Sequence, residues 1–162
     1  MTGPVREITP DVDAGAVLSG AQFIDAFRAE VGATQLSARE ACTRMVLHGP
    51  RWIDALTRLR NILVTPFGLK KSGEGAPAPG GLIGLFPVLS ETPERLIAGF
   101  NDSHLDFRIV VDVAGDAASR EVTLTTLVKT NNLLGRSYLT LITPFHKLVA
   151  RSMMGSIADP AR

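Results

Sequence analysis

The chain has 162 residues, enough for one domain whose core stands without a disulfide or a metal. Its 17 Lys and Arg against 16 Asp and Glu leave no electrostatic footprint for nucleic acid or an anionic membrane surface. Cys42 is the only cysteine, which excludes an internal disulfide and a Cys-rich zinc module and suits a reducing cytoplasm.

Residues 1–21 read as an N-terminal extension, without the basic and apolar pattern of a signal peptide. The segment QFIDAFRAEV (22–31) is ambiguous, because Phe23, Phe27 and Val31 sit four apart as on a helix while Phe23, Asp25 and Phe27 also fit the alternation of a strand. In LSARE, Ser37 and Glu40 form a capping box, so a helix is expected from Ala38 to about Leu47, ended by HGP. A second, amphipathic helix follows in PRWIDALTRLRNILVTPFGL, with Trp52, Leu56, Leu59 and Leu63 on one stripe and a stop near Thr65-Pro66 and Gly68.

SGEGAPAPGG (72–81) reads as a mobile Gly/Pro loop on which no phosphate-binding glycine motif can be placed. Strands are expected at 82–89, 95–101, 104–113 and 120–130, joined by short turns and therefore antiparallel. In the last segment, RSYLTLITPFHKLVARSMMGSIA, a three-to-four spacing runs straight across Pro144 through Tyr138, Leu141 or Ile142, Phe145, Leu148 or Val149, and Met153. It predicts one long helix kinked at the proline rather than two helices. No stretch reaches roughly 18 uncharged apolar residues, so the expectation is a cytoplasmic domain that does not span a membrane.

The successive motifs PRWIDALTRLRNILVTPFGLK, FPVL, HLDFRIVV and LGRSYLTLITPFHKLVARSMM resemble those of the bacterial domain of unknown function family 2867, in the same order and from about residue 22 onward. The resemblance carries no catalytic residue. It implies a fold similar to the START and Bet v 1 helix-grip (SRPBCC) group, in which an antiparallel sheet grips a long C-terminal helix, and on that ground 22–31 is read as the first strand. The fold class is then α+β: a single domain over 1–162 with an antiparallel sheet of about five strands, two short helices and the kinked final helix. Helix-grip proteins place a small molecule between sheet and helix, so the resemblance implies a binding module for an apolar ligand, with a small cyclase- or hydrolase-like enzyme as a sub-case.

Three residue groups compete as sites. His104, Asp106 and Arg108 lie within HLDFRIVVDV, where alternation sends Leu105, Phe107, Ile109, Val111 and Val113 to one face and His104, Asp106, Arg108 and Asp112 to the other. Same-face neighbours on a strand stand about 6.6 Å apart, too far for His104 and Arg108 to act on one atom. This polar face reads as a ladder of solvated charges or as a surface for a partner or homodimer. The second group would line a ligand: Trp52, Phe107, Arg136, Tyr138, Phe145 and His146, with His146 as the candidate acid or base, Arg136 and Tyr138 at the mouth, and Trp52 read first as a core anchor. The third is metal, and none is expected: His48, His104 and His146 form no ligand-spaced pair, and no cofactor motif is present.

Overall fold

The computed structural model describes residues 4–32, 34–52, 54–55, 58, 80–83 and 86–158. In chain order its strands are β1 (Arg6–Ile8), β2 (Phe23–Gly32), β3 (Leu82–Ile83), β4 (Phe86–Glu91), β5 (Arg95–Asn101), β6 (Leu105–Asp116) and β7 (Ser119–Thr130). The helices are α1 (Ala14–Val17), α2 (Ala38–Leu47) and α3 (Leu133–Ala158). The described residues between 51 and 58 are helical. Leu56, Leu59 and Leu63 of the expected second helix, its stop near Pro66, and residues 72–79 of the Gly/Pro loop lie outside the described residues.

The strands form one antiparallel sheet of seven in the order β1-β2-β7-β6-β5-β4-β3. About five were expected. The difference lies in β1, hidden in what reads as an extension, and in the 82–89 run, which folds back as the β3-β4 hairpin pairing Leu82 with Pro87. The segment 22–31 is a strand, as the resemblance implies, and it pairs along its length with β7, setting Phe23 opposite Val128 and Glu30 opposite Glu121. β6 starts at Leu105, so His104 belongs to the preceding turn and not to the strand.

Local chemistry sets the helix starts. Ser37 and Glu40 close the expected capping box, with the Ser37 amide donating to Glu40 Oε2 at 2.8 Å and the Glu40 amide to Ser37 Oγ at 3.2 Å. At the head of α3 the Asn132 carboxamide oxygen accepts from the Gly135 amide at 2.9 Å. The helix then runs uninterrupted through Pro144.

The main core lies between the inner face of the sheet, α2 and the C-terminal half of α3. It joins Phe27, Leu96, Val111, Val122 and Leu124 to Ala41, Cys42 and Met45 and to Ala150, Met154 and Ile157. Burial pushes the Cys42 thiol up to about 11, which keeps it protonated and inert. A second apolar cluster sits on the opposite face of the sheet, where Leu18 covers Val110 and Leu127 with Val12, Val17, Ile24 and Ile97 around it. The N-terminal segment is thus part of the fold, covering a sheet face that alternation alone leaves to solvent. Among the described residues no helix is long and apolar enough to cross a membrane.

Candidate binding site under the C-terminal helix

The strand alternation of β2 puts Phe23, Asp25, Phe27 and Ala29 on the inner face. A carboxyl in that apolar register needs a partner, because burying it alone is costly. Asp25 is only 4% exposed, and its Oδ1 lies 3.3 Å from Nε2 of His146 on α3. The other oxygen, Oδ2, is buried and has no hydrogen-bond partner among the described residues. The His146 ring also meets Phe23 edge to face, with centroids 5.7 Å apart. His146 is therefore held at the sheet by a carboxyl and a ring.

From Phe23 the same inner face continues as an aromatic row. The register aligns Phe23 with Val128, Val128 with Phe107 and Phe107 with Phe100 across four strands. Phe107 lies at 5.6 Å from Phe100 and stacks on Phe86 at 5.9 Å. Phe23, Phe86, Phe100 and Phe107 are all half-buried. On α3, Gly135 is buried near one end and Ala150, Met154 and Ile157 toward the other, but no side chain from Arg136 to Val149 is fully buried. The middle of α3 is thus half-buried where it crosses β2 and β7, at the Asp25–His146 pair and Phe23.

Gly135 shows how close the approach is at the head of the helix. A Cβ there would run into the carbonyl oxygen of His104. Gly99 plays a related part in β5, where φ is +154° and any side chain would strike the Phe107 carbonyl.

Around the dyad, β1 reaches across to α3. Glu7 accepts a hydrogen bond from Lys147 Nζ at 2.8 Å and lies 3.6 Å from the Arg151 guanidinium, which in turn stands 5.3 Å over the Phe27 ring. The Lys147 hydrogen bond, aided by both cations, holds the Glu7 carboxyl below its ordinary value, and Glu7 in turn raises Lys147.

The other expected site residues disperse. Phe145, expected on the gripped face, is 50% exposed, because the sheet-facing line of α3 passes through its neighbour His146. Trp52, expected to anchor the core, is 37% exposed. Arg136 is exposed and Tyr138 half-buried, both near the start of α3.

The polar trio is engaged within the fold. His104 Nδ1 pairs with the Asn132 carboxamide at 2.9 Å, and its carbonyl accepts from the Asn131 amide at 2.8 Å. Asp106 accepts from Asn131 Nδ2 at 3.3 Å. Together they fasten the head of α3. Arg108 folds back to donate to the carbonyls of Phe100 and Phe107 at 3.1 and 2.8 Å, and burial lowers its pKa. The ladder of charges on this face is realised further along, where Arg95 grips Asp112 with two hydrogen bonds of 2.6 and 3.1 Å.

Of the residues brought together here, sequence reasoning named His146 and Phe107 as candidates and passed over Asp25, Phe23 and the Glu7 contacts. The signal for Asp25 was present as the one acidic residue in the Phe23-x-Asp25-x-Phe27 alternation. Among the described residues no group of three His, Cys, Asp or Glu is placed to hold a metal ion. A family model described as "Protein of unknown function (DUF2867)" matches residues 17–153. No curated protein and no solved structure matches the chain.

Proposed function

The chain belongs to the DUF2867 family of proteins of unknown function, and from that premise we propose that it is a helix-grip-type domain binding a small, largely apolar molecule between the inner face of the sheet and α3. The observation that carries this reading is the half-buried aromatic row of Phe23, Phe107, Phe100 and Phe86 on the inner face of the sheet, ending beside the polar Asp25–His146 pair under α3. Binding sites for small molecules have this composition, apolar walls with few polar groups that orient the ligand. The strand order and the long final helix suit the helix-grip assignment. An enzyme of cyclase or hydrolase type is the second reading, favoured by the His146–Asp25 pair, since a carboxyl that orients an imidazole is a recurrent acid–base device. Interaction through the outer face of β6 draws less support, because His104, Asp106 and Arg108 spend their hydrogen bonds inside the fold.

Saturation-transfer NMR with toluene on the full chain tests the binding reading. Signal transfer to toluene that falls in Phe107→Ala and persists in Phe145→Ala is expected. Equal loss in both variants, or no transfer to the wild-type chain, would overturn it.

A further inference from the structure

We infer that Asp25 is a selective anchor for a hydrogen-bond donor: its Oδ2 takes the O–H or N–H of a neutral or cationic ligand whose apolar body lies along the aromatic row, while His146 holds Oδ1. The inference rests on the binding reading above and adds the chemical class of the ligand.

Three observations lead to it. Asp25 is buried to 4% exposure, yet Oδ2 has no partner among the described residues, and folded proteins rarely leave a buried oxygen so. The two cations that follow His146 on α3 are committed elsewhere: Lys147 to Glu7 at 2.8 Å, Arg151 to Glu7 at 3.6 Å and to the Phe27 ring at 5.3 Å. The groups facing Asp25 on its own sheet face are Phe23, Phe27 and, directly opposite on β7, Thr126. The waiting group is therefore an acceptor with aromatic neighbours. It favours a phenol, an alcohol or an amine on an apolar body, and it disfavours a fatty-acid-like anion, whose head would meet the Asp25 carboxyl.

Three ligands of one shape separate these contributions: p-cresol, toluene and p-toluate, titrated into the full chain and followed by ligand NMR and by the His146 ring resonances. A charge-assisted hydrogen bond is expected to make p-cresol about tenfold tighter than toluene, with p-toluate weaker than both. Asp25→Val is expected to bring p-cresol down to the affinity of toluene, with toluene itself retained. If Asp25→Val does not fold, Asp25→Asn serves, and there the preference for p-cresol is expected to fall severalfold.

Equal binding of p-cresol and toluene to the wild-type chain would overturn the donor anchor while leaving the binding reading intact. So would an undiminished preference in a folded Asp25 variant. Binding of none of the three would overturn both.

Discussion

Replacing Asp25 with Val should stabilise the domain, and the sign of that effect separates a residue kept for binding from one kept for structure. In the native state Oδ2 is buried without a partner, a desolvation cost of about 1–3 kcal/mol. Against this stands the single contact of Oδ1 with His146 at 3.3 Å, worth about 1 kcal/mol. Val is close in size, suits a strand, and would sit between Phe23 and Phe27 on an apolar face. His146 is 21% exposed at its side chain, so it can turn its nitrogen to water when Asp25 is gone. The net expectation is a gain of about 1 kcal/mol, or a rise of roughly 2–4 °C in Tm for a chain of this size. Urea unfolding followed by circular dichroism at neutral pH, with calorimetry in parallel, measures it. If the pair were a structural clamp, its loss would cost roughly 3–5 kcal/mol, as for other broken buried pairs. A loss of about 2 kcal/mol or more, with unchanged denaturant slope, would refute the reasoning that Asp25 is kept at a cost in stability.

Thr125 makes a control on the other sheet face: its Oγ1 is buried without a partner among the described residues, so Thr125→Val is expected to add about 1 kcal/mol by urea unfolding. Gly135→Ala should cost about 2 kcal/mol, because the collision with the His104 carbonyl outweighs the better helix propensity of alanine, and a stabilised variant would contradict the close contact. Glu7 sets a pH dependence. Its folded pKa lies below its ordinary value of 4.5, so its contribution is complete above 4.5 and is lost as pH falls through the folded value. That of Lys147, raised above 10.5, is complete below 10.5 and is lost as pH rises past its folded value. Melting curves of Glu7→Gln should therefore lie below wild type at neutral pH and merge with it in acid; a gap that persists in acid would show that the Glu7 ion pairs are not its source.

Elements with local chemistry were legible in the sequence. The Ser37–Glu40 box and the alternation of 104–113 and 120–130 each lead to the right element within a few residues. The segment 22–31 was not, because Phe23, Phe27 and Val31 satisfy both periods, and pairing with β7, a contact across a hundred residues of chain, decides between them. β1, three residues long, carries too little pattern to be seen.

The face of α3 was legible only in part. The spacing leaves Leu141 or Ile142 and Leu148 or Val149 open beside Phe145; Ile142 and Val149 are half-buried, whereas Leu141, Phe145 and Leu148 prove exposed, and the buried positions are Gly135, Ala150, Met154, Ile157 and Ala158. Much the same blindness hid Asp25. A carboxyl in an apolar strand register reads as a solvent-facing residue until the helix that carries its partner is in place.

The two outermost strands of the sheet have three and two residues, β1 at one edge and β3 at the other. Strips so short offer few unpaired backbone groups for a foreign strand to add to, which protects the long strands behind them from templated aggregation. One of these two edges, β1, lies outside the stretch by which the family is recognised, 17–153. A chain trimmed to those limits would lose β1, leaving the ten-residue β2 as a bare edge, and would lose the core residues Met154, Ile157 and Ala158 from the other end. A version of this domain cut at the sheet edge and the last helical turn is therefore expected to resist aggregation better than one cut at the limits of sequence similarity.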